Sequence, residues 1–416
     1  MDEKYFQKGF GLKNVIAPAL AESYGSRVVD RVRALGNRAR AGEITIKLAH
    51  EFGFCYGVDR AVDYAYETHA RFPDRRIFLA GEIIHNPDVN RRLSEMGILL
   101  LSDDSQPTSR YRDVTSEDVV ILPAFGVTVA EREHLSMKGC VLVDTTCGSV
   151  LNVWKSVRRY AREGFTAVIH GKHFHEETRA TASQALTRPG SHYLCVKDRD
   201  EARLVCAFIR AELGGAEIRA RFERVASPGF DPERDLQRIG LANQTTMLMS
   251  ESLEIQEMLR SAIRDRWGEA GLTHRFRAFD TICSATQDRQ DAVQRLLDEG
   301  DLDLVVVVGG YNSSNTQALA KLSVEKAPTY HINGADGIGP DAIRHRPVGG
   351  LEEVATTDWL PGGPIVVGLT AGASTPNNVV GQVIERLLSL RKATADQLES
   401  IEPPRDPMSP RPRPFL

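Results

Sequence analysis

The sequence predicts an α/β protein: three pseudo-repeated α/β units in a trefoil arrangement around a shared centre. Two observations carry this prediction. First, a strand, a cysteine and an amphipathic helix follow one another three times. Val143-Asp144-Thr145-Thr146-Cys147 is the clearest copy. Ile44-Thr45-Ile46 and Phe52-Gly53-Phe54 lead into Cys55, with Val58, Ala61, Val62 and Ala65 next at helical spacing. Phe279-Asp280-Thr281-Ile282 leads into Cys283, with Ala285, Ala292, Val293, Leu296 and Leu297 downstream. Second, the segments after each helix match. The second strands Ile77-Phe78-Leu79-Ala80, Ala167-Val168-Ile169 and Leu304-Val305-Val306-Val307-Val308 each end in a polar loop: Ile84-His85-Asn86, His173-Phe174-His175-Glu176-Glu177 and Asn312-Ser313-Ser314-Asn315. Third strands end at Pro123-Ala124-Phe125-Gly126, Ala242-Asn243-Gln244-Thr245-Thr246 and Thr370-Ala371-Gly372-Ala373-Ser374. Each unit thus donates one thiol and two loops from the carboxyl ends of its strands, where open α/β sheets bind ligands.

Taken in order, residues 1–42 read as an N-terminal extension, in which Val28, Val32 and Leu35 mark one face of a short packing helix. The first unit spans 43–146 with Cys55, the second 147–279 with Cys147, and the third 280–376 with Cys283. Between Phe208 and Gly240, Gly214-Gly215, Pro228-Gly229 and Asp231-Pro232 punctuate an irregular excursion, with Arg234, Arg238 and their acidic neighbours on a solvated face. Within 377–401, Val379 to Leu390 has the spacing of a C-terminal helix packing back on the body. The tail 402–416 holds Pro403-Pro404, Pro407, Pro410, Pro412 and Pro414, the composition of a disordered segment.

The 416 residues carry 52 basic and 56 acidic side chains, a net charge of -4. No basic field exists to favour nucleic acid. No apolar run approaches the ~20 residues of a membrane span, and Met1-Asp2-Glu3-Lys4-Tyr5 lacks an apolar signal core. A soluble, cytoplasmic protein is expected. Six cysteines in so long a chain make no disulfide scaffold. Cys140, Cys195 and Cys206 lie in or beside apolar stretches and read as small buried hydrophobes. Cys55, Cys147 and Cys283 precede helices, whose N-termini lower a thiol pKa and favour the metal-ligating thiolate.

Spacing separates the metals. Structural zinc takes short Cys-x2-4-Cys knuckles, absent here. One cysteine per unit suits a shared iron-sulfur cluster at the centre of the body. A cubane needs four ligands, so three thiolates leave one iron open to substrate or water. On spacing alone, structural thiols and a nucleophile stand as alternatives.

The stretches Gly53-Phe54-Cys55-Tyr56-Gly57-Val58, Glu82-Ile83-Ile84-His85-Asn86, Asp144-Thr145-Thr146-Cys147, Gly171 through Glu177, Gln244-Thr245-Thr246, Thr281 through Thr286, Asn312 through Asn315 and Thr370 through Ser374 resemble the 4-hydroxy-3-methylbut-2-enyl diphosphate reductase family. The likeness runs in order from about residue 44 to 390. The N-terminal extension, Ala124-Phe125-Gly126 and the Phe230-Asp231-Pro232 insertion resemble its cyanobacterial and plastid branch. The resemblance implies a [4Fe-4S] cluster on Cys55, Cys147 and Cys283, and a diphosphate substrate with an allylic alcohol. It also implies the last reduction of the methylerythritol phosphate route, with ferredoxin or flavodoxin as electron donor.

Glu177 matches the family's proton-delivering glutamate, Thr245 its hydroxyl partner and His175 the imidazole beside it. Ser313, Ser314, Asn315 and Ser374 match the diphosphate donors, and His85 a phosphate-side histidine. Without the resemblance, His173 to Glu177 is an ordinary polar loop, and Asn312 to Asn315 a turn or helix cap. A cap opening a helix can also be an anion site. His173 and Glu176 are expected to face solvent or outer partners. Two positions depart from the better-known bacterial form. Phe125 stands where that form has a second diphosphate histidine, with Asn86 or Lys172 as candidate replacements. Gly148 stands where proline usually follows the second cysteine. Two rival readings are a non-catalytic iron-sulfur redox sensor or electron carrier and a cluster-dependent hydratase-type lyase. Both leave features unused: the carrier has no need of Glu177, Thr245 and the serine-rich loops, and a lyase needs no electrons.

Overall fold

The computed structural model describes residues 4–101, 109–279 and 282–401. The expectation for the proline-rich tail falls outside them. Three mainly parallel sheets form the body. The first runs Tyr5–Phe6, Val141–Asp144, Val119–Leu122, Ile77–Leu79, Ile98–Leu100 in spatial order. The second runs Phe276–Ala278, Ile239–Asn243, Thr166–His170, Tyr193–Val196. The third runs Thr329–Ile332, Leu304–Val308, Ile365–Ala371, Ile44–Leu48, Arg38–Ala41, Glu399–Ser400. These strands are Val-, Ile- and Leu-rich runs buried on both faces, as parallel sheets with helical cover require.

The same four-strand order recurs in each sheet, and its last strand is always the one leading to the next cysteine. Val141–Asp144 closes the first sheet and runs on to Cys147; Phe276–Ala278 closes the second and runs on to Cys283. The third is closed by Ile44–Leu48, which pairs in parallel with Ile365–Ala371. This corrects the first unit's boundary at 43: the strand before Cys55 belongs to the third sheet. Its apolar pattern fits any half-buried partner, and only tertiary pairing shows which one it takes. Each cysteine therefore sits where the chain leaves one sheet for the helix of the next.

The N-terminal extension is woven into the body. Tyr5–Phe6 adds a parallel edge strand beside Val141–Asp144. The helix Lys13–Tyr24 packs on Tyr56–Arg71, and Arg27–Ala34 packs on Asn377–Leu390. Ser26 caps the second of these extension helices by accepting from the Val29 amide, and Val28, Val29 and Val32 enter the same core as Val380, Val383 and Leu387. The region 208–240 is more regular than its Gly and Pro content suggests. It contains the helices Gly215–Phe222 and Pro232–Asp235, the latter capped by Asp231 with proline at its first position. Asp235 is buried there, accepting from the Asp231 amide at 2.7 Å and from Arg234, while Arg234 and Arg238 themselves stay exposed on the solvated face. Cys140, Cys195 and Cys206 are buried. Among the described residues no helix is long and apolar enough to cross a membrane.

Candidate functional site

Cys55, Cys147 and Cys283 are the N-cap residues of helices Tyr56–Arg71, Gly148–Glu163 and Ser284–Asp298. Each cysteine amide donates to the carbonyl of the loop after a third strand: Cys55 to Ala373 at 3.2 Å, Cys147 to Ala124 at 2.9 Å and Cys283 to Thr245 at 3.3 Å. One repeated bond thus aims three thiols, far apart in sequence, at one place. All three line a single cavity together with His85, His175, Glu177, Thr245, Ser313, Ser314, Asn315 and Ser374. Every site residue expected from sequence is therefore in one chamber, drawn from all three sheets. Phe125 lines it as well, while Lys172 and Asn86 do not. Asn86 caps the helix Pro87–Glu95, and Lys172 Nζ bonds Gln317 Oε1 at 2.5 Å, so neither stands in for the missing histidine at the cavity wall.

The helix N-termini do not make the Cys55 and Cys283 thiols acidic. Burial raises Cys283 to about 11 and raises Cys55 as well, outweighing the amides and the Thr286 hydroxyl that favour the thiolate. Such thiols ionise when a cation takes the proton's place. The space around them suits a bulky group: a β-carbon on Gly57 would stand 2.5 Å from Cys147 Sγ and 3.9 Å from Cys55 Sγ, so glycine leaves the centre clear. Among the described residues, the group with three ligand atoms within 4.8 Å of one another is His85, His175 and Glu176. The three cysteine sulfurs do not all lie within that distance of one another. The donor set and the glycine-lined gap therefore fit an iron-sulfur cluster. Cys283 Sγ also accepts from the Thr286 amide at 3.3 Å, a contact missed from sequence although Cys-x-x-Thr is N-cap spacing.

Glu177 is 1% exposed. Its Oε1 accepts from the Thr245 amide at 2.6 Å, and its Oε2 from the Thr245 hydroxyl at 3.0 Å. Burial nonetheless lifts its carboxyl to about 7, because these donors only partly offset the lost hydration. The Glu177 amide donates to His175 Nδ1 at 3.1 Å, which leaves the His175 proton on Nε2, 3.2 Å from His85 Nε2. Burial and the neighbouring His85 charge push His175 down to about 3. Burial also opposes a charge on His85, but the carboxylates of Glu176 and Glu82 overcome it and hold the ring protonated up to about 9. Glu176 is thus an outer partner, 3.4 Å from His85 Nε2. Phe125 stacks on His85 with centroids 4.2 Å apart.

At the opposite wall, Ser313 caps the helix Ser314–Val324 by accepting from the Thr316 amide at 3.3 Å. Asn315 is 2% exposed; its Oδ1 accepts from the Ala373 amide at 2.8 Å, while Nδ2 finds no acceptor among the described residues. Ser314 Oγ accepts from Gln244 at 3.1 Å and Ser374 Oγ donates to the His85 carbonyl at 3.0 Å, pinning the lobes together across the cavity. A buried orphan donor at a helix N-terminus is what an anionic ligand completes.

Residues 46–388 match the family model described as LytB protein. A 4-hydroxy-3-methylbut-2-enyl diphosphate reductase of Cyanothece sp. is 46% identical over 94% of this chain and 95% of its own. The enzyme of the same name from Synechococcus sp. (strain RCC307) is 48% identical over 94% and 95%. The solved Plasmodium falciparum E-1-hydroxy-2-methyl-but-2-enyl-4-diphosphate reductase, 22% identical, shares the fold with a TM-score of 0.61 over 84% of this chain and 89% of its own. With its cysteines, acid and serine-rich loop gathered in one chamber, the chain belongs to the LytB family of 4-hydroxy-3-methylbut-2-enyl diphosphate reductases.

Proposed function

We propose that this chain reduces 4-hydroxy-3-methylbut-2-enyl diphosphate, with two electrons and two protons, to isopentenyl and dimethylallyl diphosphates and water. This is the last step of the methylerythritol phosphate route. The observation that carries it is the convergence of three thiols, one half-protonated acid and a set of phosphate donors on one cavity. A [4Fe-4S] cluster held by Cys55, Cys147 and Cys283 would supply electrons singly and a Lewis-acidic iron beside the substrate hydroxyl.

The chain's own groups then divide the work. Glu177, poised near neutrality, holds the proton that turns a departing hydroxyl into water, and Thr245 fixes its carboxyl plane. The Ser314–Val324 helix N-terminus, with Ser313, Ser314, Asn315 and Ser374, takes the diphosphate. With His85 charged, its Nε2 and that of His175 both carry protons 3.2 Å apart, and an oxyanion accepting from both relieves them. Val58, Ile84, Phe125 and Val150 wall the chamber against water, which strengthens each of these interactions. Reduced ferredoxin or flavodoxin would deliver the electrons in a reducing cytoplasm.

The test is anaerobic protein with reduced donor and 4-hydroxy-3-methylbut-2-enyl diphosphate, followed for both C5 diphosphates. Electron-dependent formation of the pair is expected. Product without a reductant points to a lyase, and a reducible cluster with no product points to a carrier. The carrier reading leaves the Glu177–Thr245 pair without a role.

A further inference from the structure

Arg289 is 4% exposed and lies on the helix that Cys283 caps. Its guanidinium donates to carbonyl oxygens: Nε and Nη2 to Gly53 at 3.1 and 2.7 Å, Nη2 to Phe54 at 3.0 Å, and Nη1 to Ala285 at 2.8 Å. Gly53 and Phe54 immediately precede Cys55, and Ala285 follows Cys283. The guanidinium therefore bolts two cysteine turns together. Among the described residues no carboxylate pairs with it within hydrogen-bond reach. Carbonyl dipoles satisfy its N–H groups without cancelling its charge; the carboxylate it acts on, without a hydrogen bond, is that of Asp59. Arg60 makes a comparable link, from the helix after Cys55 to the Thr146 carbonyl at 3.1 Å, but it is partly exposed and its charge is screened. Arg289 acts where the dielectric is low.

We infer that Arg289 is a positioning residue whose fixed positive charge, clamped between the Cys55 and Cys283 turns, compensates the anionic cluster and sets its reduction potential. This rests on the cluster reading above. Reduction adds negative charge to the centre, so a nearby cation favours the reduced state.

The experiment is redox titration of the anaerobically reconstituted holoprotein, read by its spin-resonance signal, for wild type, Arg289→Gln and Arg289→Lys. Arg289→Gln is expected to shift the midpoint to more negative potential, with Arg289→Lys staying close to wild type. An Arg289→Gln cluster with the wild-type midpoint overturns the inference. If Arg289→Gln assembles no cluster, the lysine variant decides: regained iron supports the charge role, and absence of iron there too overturns it. Wild-type protein that binds no iron defeats the cluster reading itself, a result distinct from any of these.

Discussion

Replacing Glu177 with glutamine should produce two opposite effects from one cause. The side chain keeps its shape, and its oxygen can still accept from the Thr245 amide, so substrate should bind with little change in KM. The proton is lost. A positioned general acid contributes about 10²–10⁴-fold, or about 3–5 kcal/mol of barrier, so kcat should fall by that factor while the cluster spectrum stays. Stability should move the other way. Burial has raised this carboxyl from 4.5 to about 7, a preference for the neutral form worth about 3 kcal/mol. For a group raised in the fold, that stability is fully present below the unfolded value near 4.5 and is lost as pH climbs through 7. Wild-type apoprotein should therefore lose about 3 kcal/mol between about pH 5 and pH 8 from this residue alone. Glu177→Gln should lack that component and resist urea better than wild type at the higher pH. Denaturation of both apoproteins at the two pH values, with single-turnover kinetics on the holoproteins, checks both arms. Near wild-type turnover, or a stability difference independent of pH, would refute the assignment of a buried, proton-holding acid.

Gly57→Ala should lose most of its iron without losing helix content, since the new methyl meets Cys147 Sγ at 2.5 Å; iron and sulfide analysis with circular dichroism reads this, and a full complement would mean the gap has slack. Phe125→His should lower KM roughly tenfold by adding a charge-assisted donor of about 1.5–3 kcal/mol, less whatever the lost stack on His85 costs, while leaving the cluster signal alone; an unchanged or higher KM counts against the wall position. Glu176→Gln removes one of two carboxylates that keep His85 charged up to about 9, so KM should begin to rise at a lower pH than in wild type; coincident KM profiles would show that Glu82 suffices.

Much of this site was legible because its signals are local. A cysteine capping an amphipathic helix, an apolar run such as Leu304–Val308 ending in Asn312-Ser313-Ser314-Asn315, and a glutamate in a loop after Thr166–His170 can each be read from a few consecutive residues. Long-range choices were not. Nothing in Ile44-Thr45-Ile46 says that its partner is Ile365–Ala371 rather than a strand of its own unit. Arg289 carries no sequence signal, and its importance comes from carbonyls on a turn more than two hundred residues away, Gly53 and Phe54. The thiol pKa expectation failed for a related reason. Helix position is a local property that favours thiolate, but burial is a property of the whole assembly, and here it is the larger effect.

The cyclic passing of strands explains how distant thiols can share one centre at all. A repeat whose three units each kept their own strands would place its cysteines at three separate sheet ends. Here each cysteine lies on the segment crossing between neighbouring sheets, all three thiols line one cavity, and each turn is tied by the same amide-to-carbonyl bond. The third crossing forms only when Ile44–Leu48 docks on Ile365–Ala371, a pairing between the two ends of the chain. Two of the three cysteine turns can be built by pairing neighbours in order; the third waits for this long-range contact, which topology makes slow. The extension then reinforces the closure, because Arg38–Ala41 hydrogen-bonds to Ile44–Leu48 and Arg27–Ala34 packs on Asn377–Leu390. On this argument the N-terminal segment acts on the chemistry without touching substrate: it holds shut the seam on which the Cys55 turn depends.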